Sequence, residues 1–332
     1  MIDLTVIWAA IIAFSVMAYV VMDGFDLGIG ILFPRFPVGE ERDTAMNSIA
    51  PVWDGNETWL VMGGGGLLAA FPLAYAIILP ALYAPLTAML LALVFRGVAF
   101  EFRWRDPRHR AAWDAAFTLG SLVATFAQGI TLGALLQGIT VEGRAYAGGW
   151  WDWLTPFSLL TGFSLCVAYA LLGACWLAMK TEGPLQEQSF RHARLLLVAL
   201  VVAIGLVSAA TPFLEGQYYQ RWFAWPGLLV TIPMPLLVLG FGVMLWRALG
   251  LRQERAPFFW TLGLFGLCFI GLAISIWPDV IPGRVTIWQA AAPEKSQIFM
   301  LVGTVVLVPM ILIYTAWAYW VFRGKVGGHG YH

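Results

Sequence analysis

The sequence predicts an all-α integral membrane protein, and three observations carry that prediction. Of the 332 residues, 60% are hydrophobic and only 11% are charged, against about 25% charged in soluble domains. Mean hydropathy is +0.78. The apolar residues fall in long continuous runs, close to the ~20 residues a helix needs to cross hydrocarbon. They are not the alternating ten-residue segments of a membrane barrel. The same figures exclude a soluble enzyme and a disordered chain. With 19 Lys+Arg against 19 Asp+Glu there is also no basic excess to bind nucleic acid.

Nine spans are expected within one polytopic membrane domain, 1–332. They lie near 5–32, 49–70, 73–96, 115–137, 157–178, 195–213, 224–246, 257–277 and 298–321. The first follows Met1-Ile2-Asp3, with no Lys or Arg ahead of its apolar run, so it reads as a span and not as a cleaved signal peptide. The second opens after Pro51 and carries Gly63 to Gly66; the third closes at Arg96. The fourth ends at Gln137-Gly138, and Trp150, Trp151 and Trp153 precede the fifth as an interfacial aromatic belt. Basic residues flank the sixth, seventh and eighth. A connection over 278–297 with Pro278, Pro282 and Pro293 leads to the ninth, which ends among Trp317, Trp320 and Arg323. Nine spans allow two four-helix units plus one extra helix. Pro80, Pro85, Pro233, Pro235 and Pro309 lie within the runs and predict kinks.

Charge asymmetry sets the expected orientation. With the N-terminus outside, only Arg144, Arg221, Arg284 and Lys295 of the 19 Lys+Arg fall in outer segments. The remainder flank the inner ends, which places the C-terminus in the cytoplasm.

The residues of interest are ionisable groups in or near the spans, since each is costly there and needs a partner or a task. Asp23 and Asp26 lie late in the first span, Asp54 and Glu57 early in the second, Arg96 at the end of the third and Glu101 just beyond. Each acidic pair is spaced i, i+3 and shares a helix face. Acids near a helix N-terminus, as at Asp54 and Glu57, are favoured by the helix dipole without any functional role. Asp23 and Asp26 approach a helix C-terminus, where the dipole opposes them, so they need a counter-ion or a proton. Arg96 is the candidate at that depth. Two readings follow, a structural Asp–Arg clamp or a proton path from the cytoplasm.

Other constellations are set aside. Gly24, Gly28, Gly30 and the Gly63–Gly66 run read as close helix packing, and the run has no phosphate-loop context. His109, His192, His329 and His332 are expected in loops or the tail, so no span offers a pair of axial haem ligands. Cys166, Cys175 and Cys268 lie in apolar runs without CxxC spacing and read as packed thiols. No metal site is expected.

Two long motifs carry a family resemblance. Met22-Asp23-Gly24-Phe25-Asp26-Leu27-Gly28-Ile29-Gly30 resembles the signature of subunit II of cytochrome bd-type quinol oxidases. So does Asn47-Ser48-Ile49-Ala50-Pro51-Val52-Trp53-Asp54-Gly55-Asn56-Glu57-Thr58-Trp59-Leu60. Phe95-Arg96, Glu101-Phe102-Arg103, Leu135-Leu136-Gln137-Gly138 and Leu312-Ile313-Tyr314-Thr315-Ala316-Trp317 extend the likeness along the chain. The compact outer connections resemble the cyanide-insensitive branch, and Glu57 departs from an amide common in relatives.

The resemblance implies a non-haem subunit of a quinol:oxygen oxidoreductase that reduces O2 to water with protons from the cytoplasm, an electrogenic reaction. Two haems b and one haem d belong to the larger subunit I, which is the implied partner. A small single-span accessory subunit, membrane lipid and quinol are further expected partners, and some relatives hold a quinone. Catalysis is not expected in this chain alone. Asp26, Asp54 and Arg96, with Trp53 beside them, match family positions on the proton-entry side. Two rivals are a cation-coupled secondary transporter and a purely structural partner. The transporter reading is disfavoured because the charges lie near one surface and no matching pair of broken helices is evident.

Overall fold

The computed structural model describes residues 3–225 and 227–326; His329 and His332 lie outside them. The α1 helix, Leu4–Leu32, begins at Asp3, whose side chain accepts from the Thr5 amide and so caps one of the four free N–H groups of the first turn. A short α2, Glu40–Asn47, follows on the polar loop. The α3 helix, Trp53–Ala70, and α4, Pro72–Ala81, meet at a 120° bend. Then come α5, Tyr83–Arg105, and α6, Arg110–Leu136. A hairpin of β1, Val141–Glu142, and β2, Ala145–Tyr146, turns at Gly143, whose φ of 61° a side chain rarely adopts.

The second half opens with α7, Pro156–Lys180, whose N-terminus carries a capping box of Thr155 and Ser158. It continues through α8, Gly183–Ala210, the short α9, Gly216–Phe223, and α10, Leu228–Thr231. The α11 helix, Pro233–Gly250, and α12, Ala256–Ile276, follow. A second hairpin, β3, Asp279–Ile281, with β4, Val285–Thr286, leads through α13, Ile287–Ala290, to α14, Glu294–Val321.

The fold is the all-α membrane bundle expected. Eight helices are long and apolar enough to cross a membrane, and the bent pair α3 and α4 makes up to a ninth, among the described residues. α1, α3, α5 and α6 pack as one group and α7, α8, α11 and α12 as another, and they meet where α7 lies against α1 and α6. Glycine permits those crossings. A Cβ on Gly28 would stand 1.8 Å from the Tyr169 carbonyl oxygen, and one on Gly129 would stand 2.6 Å from the Gly162 Cα. α14 lies at the periphery, and only Gln297 among its residues is buried.

Several expected boundaries move, each for a physical reason. The span expected at 73–96 is divided. Pro72 cannot donate an amide to continue α3 and pushes Phe71 out of helical geometry, to φ −129° and ψ 60°. The crossing helix is therefore α5, and it runs nine residues past Arg96, so that residue lies inside a helix instead of closing one. α8 starts 12 residues before the expected 195 and carries His192, which is helical and not in a loop. The span expected at 224–246 becomes α10 and α11, with Pro233 at the first position of α11. Pro85 likewise sits in the first turn of α5, where a missing N–H costs nothing, so neither residue kinks a helix. Gly64 and Gly65 have open space beyond them, not a packed helix, and Cys268 is exposed while Cys166 and Cys175 are buried.

Candidate functional site: a buried ion cluster

The site is built around Arg96, whose side chain has no solvent exposure. Its Nη1 lies 2.8 Å from Asp23 Oδ1 and 2.6 Å from Glu57 Oε1, and its Nη2 lies 3.6 Å from Asp26 Oδ2. α1 delivers both aspartates from one face, α3 delivers Glu57 and α5 delivers the guanidinium. Asp23 and Asp26 are fully buried, whereas the Glu57 side chain keeps 27% exposure and opens the cluster to the outside. One guanidinium offsets one carboxylate, and three carboxyls surround it. An uncompensated carboxylate in apolar surroundings is costly, so the cluster has room for protons as well as charge.

Neutral groups complete it. Asn56 donates from Nδ2 to Asp26 Oδ2 at 2.7 Å and to the Met22 carbonyl at 3.2 Å. Its Oδ1 accepts from the Tyr319 hydroxyl at 2.8 Å, which ties α14 to the cluster. Trp53 stacks on Phe100 with ring centroids 4.8 Å apart, and the Arg96 guanidinium carbon lies 5.8 Å and 5.7 Å from the two ring centres.

Four of the six expected charges thus share one volume: Asp23, Asp26, Glu57 and Arg96. Two do not. Asp54, in the first turn of α3, is exposed, though close enough to Glu57 to act on it electrostatically. Glu101 faces outward and pairs with Arg105, at 3.2 Å, in an exposed i, i+4 ion pair. Both sit on the outer face of a helix whose inner face the cluster uses.

A second ionic cluster went unnoticed in the sequence. Arg103, also without exposure, bonds Asp114 at 2.5 Å and Asp43 at 2.9 Å. Arg42 reaches Asp114 at 2.8 Å, and Arg110 bonds Asp43. It binds α2 to the ends of α5 and α6. The available signal was Arg103 one heptad after Arg96, on the same face of a helix that continues beyond the apolar run. Asn56 and Tyr319 were legible only as polar residues inside quoted motifs.

Neither described histidine takes part in these clusters. His109 pairs with Asp106 at 2.8 Å, and His192 packs edge-on to Phe36. No convergence of three or more His, Cys, Asp or Glu able to hold a metal occurs among the described residues.

The bundle and its buried cluster define a polytopic membrane protein with charge stored at a helix junction. The chain belongs to the cytochrome bd terminal oxidase subunit II family, whose model matches residues 4–322. It is 31% identical to cytochrome bd-I ubiquinol oxidase subunit 2 of Escherichia coli K12, over 96% of this chain and 94% of that one. It is 28% identical to cytochrome bd ubiquinol oxidase subunit 2 of Bacillus subtilis, over 96% of both. The bd oxidase structure from Geobacillus thermodenitrificans has the same fold, with a TM-score of 0.77 at 18% identity over 97% of this chain and 99% of that one.

Proposed function

We propose that this chain is the non-haem subunit of a quinol:oxygen oxidoreductase, and that its buried cluster admits protons from the cytoplasmic side. One observation carries the reading: three carboxyls converge on a fully buried Arg96, and one of them, Glu57, still reaches the exterior. The N-terminus is outside and the C-terminus in the cytoplasm, following the distribution of Lys and Arg. The membrane is the bacterial cytoplasmic membrane.

Protons enter past exposed Asp54 to Glu57, and from there reach Asp26 beside Arg96. The haem-bearing subunit I is the partner. The haems b and d, which carry electrons and reduce O2, are assigned to that partner; the two described histidines are engaged elsewhere, His109 with Asp106 and His192 against Phe36. A small accessory subunit, lipid and quinol complete the complex. The cluster also has the features of a clamp, because a buried pair broken on one side is strongly destabilising. The two roles are separable by experiment.

The test is the complex purified from native membranes in mild detergent, with its reduced-minus-oxidised haem spectrum and quinol-driven oxygen uptake. Asp54→Asn and Glu57→Gln are expected to slow uptake by about 10²-fold while the haem bands stay unchanged, the lower end of what one positioned proton-transfer group contributes. Unchanged turnover in both variants would leave the chain a structural partner only. A haem-free chain without a partner that takes up a cation in liposomes would favour the transporter reading.

A further inference from the structure

Two donors reach the Asp26 carboxyl, and both reach the same oxygen. Asn56 donates from Nδ2 to Asp26 Oδ2 at 2.7 Å, and Arg96 Nη2 lies 3.6 Å from that atom. Asp26 Oδ1 is buried and has no hydrogen-bond partner among the described residues. The two oxygens of this carboxyl are therefore unlike before any proton arrives.

Asn56 holds that asymmetry, because its amide is engaged on every side. An amide NH2 only donates, and an amide oxygen only accepts. One Nδ2 hydrogen goes to Asp26 Oδ2 and the other to the Met22 carbonyl, at 3.2 Å, one turn earlier on α1. Asn56 Oδ1 accepts from the Tyr319 hydroxyl at 2.8 Å. The Tyr319 ring stands edge-on to Phe25 and Trp176, with centroids 6.5 Å and 6.2 Å away, so α14 brings the hydroxyl to a fixed place. Turning the amide over would set its oxygen against the Met22 carbonyl, two acceptors facing each other. Asn56 is buried, so that mismatch would carry the full cost of unpaired polar groups.

A proton on Asp26 has two places to sit. On Oδ2 it would meet the Asn56 hydrogen and the guanidinium, and the amide would have to turn. On Oδ1 it displaces nothing. Oδ2 then becomes the carbonyl oxygen of the neutral acid and still accepts from Asn56 Nδ2. One hydrogen bond thus serves both protonation states, and no neighbour moves between them. We propose that Asn56 and Tyr319 are positioning residues that hold Asp26 Oδ2 as a standing acceptor, so that Asp26 binds and releases its proton at Oδ1. The exchange of that proton rests on the proton-entry reading above; its place on Oδ1 does not. The charged and titratable groups around Asp26 are Asp23 on its own helix, Glu57 of α3, Arg96 of α5 and, through Asn56, Tyr319 of α14.

The test is the acid-minus-neutral infrared difference spectrum of the intact oxidase complex, with aspartate carboxyl carbons isotopically labelled. The Asp26 carbonyl band is the one that Asp26→Asn removes. In the unaltered complex it is expected at the lowered frequency of a hydrogen-bonded carbonyl. Asn56→Leu keeps the shape and removes the donor, so the band is expected to rise. Quinol-driven oxygen uptake is expected to fall by about 10²-fold with the haem spectrum intact, as for a reacting group misplaced by about 1 Å. Tyr319→Phe is expected to raise the band by a smaller step, because the hydroxyl polarises the amide and strengthens its donation. A merely structural role would lower haem content and leave the band where it is. The proposal is overturned if the band does not move in Asn56→Leu, since the carbonyl oxygen would then be Oδ1. It is overturned too if Asp26→Asn removes no band, since Asp26 would then bind no proton. If Asn56→Leu does not assemble, the unaltered complex decides: a band at the frequency of a free carbonyl overturns the proposal. An unmoved band in Tyr319→Phe overturns the part given to Tyr319. Failure of the proton-entry reading is seen separately, as unchanged turnover in Asp26→Asn, and leaves the placement of the proton standing.

Discussion

Arg96 and Gly28 show how single side chains hold this bundle. Arg96 has no solvent exposure and faces three carboxyls, so Arg96→Met removes the buried counter-charge they share. Breaking a buried pair on one side costs about 3–5 kcal/mol. The expected outcome is loss of the assembled chain from the membrane, read as reduced yield and a lowered thermal midpoint in detergent. Gly28→Ala is expected to be damaging by a different route, since its Cβ would stand 1.8 Å from the Tyr169 carbonyl oxygen and 3.0 Å from the Gly173 nitrogen. Backbone must move, at a cost of about 1–3 kcal/mol. Gly65→Ala is the control: nothing lies within 4 Å, and Ala gains about 1 kcal/mol over Gly in a helix. If Gly65→Ala weakens the purified chain as much as Gly28→Ala does, close packing is not what these glycines supply. A loss confined to the assembled complex would locate a partner helix on that face.

Among the helices, the ties at the ends are where burial is weakest and polar contacts matter most. α14 has little packing within the chain, yet both ends are held. At one end Trp8 donates to the Gln297 carbonyl at 3.2 Å. At the other, Lys180 donates to the carbonyls of Phe322 and Gly324, Lys325 donates to the Thr181 carbonyl at 3.0 Å, and Lys325 pairs with Glu254 at 3.0 Å. The Gln186 hydrogen bond, and then Lys325, hold the Glu254 carboxyl below its usual range. A lowered carboxyl contributes fully above its ordinary value and loses that contribution as pH falls through the lowered one. Acidification below about pH 4 is therefore expected to release the segment around Lys325 before the bundle opens, visible as faster hydrogen exchange at residues 322–326. Lys180→Met should produce the same release at neutral pH; unchanged exchange there would show that the contacts do not hold the segment. The number and order of the spans were legible because hydropathy is a sum over many residues. The ends were not, because Pro72 and Pro233 set them locally and amphipathic turns such as the start of α8 carry no apolar run. Of the candidate charges, Asp23, Asp26, Glu57 and Arg96 could be placed together from depth alone. Asp54 and Glu101 could not be excluded, since they share the cluster's depth and only the direction each takes around its helix, toward the exterior, separates them from Glu57 and Arg96.

The whole chain reads as half of a larger object. α5 presents Leu90, Leu91, Val94, Phe95, Val98 and Phe102 outward, and α14 is exposed along its length. In membrane these faces meet lipid or a partner helix without penalty, which fits a family whose named relatives are oxidase subunits. The cluster lies between α1, α3 and α5, and of its four charged side chains Glu57 alone keeps solvent exposure; on the proposed function its work is to deliver protons into the complex. The most direct measurement is proton uptake by the purified oxidase carrying Asp26→Asn, recorded together with quinol-driven oxygen consumption and the haem spectrum. The account predicts an intact haem spectrum with oxygen consumption and proton uptake slowed together by about 10²-fold or more. Unaltered uptake and turnover in a complex with full haem content would contradict it, and would leave the Arg96 cluster as a clamp.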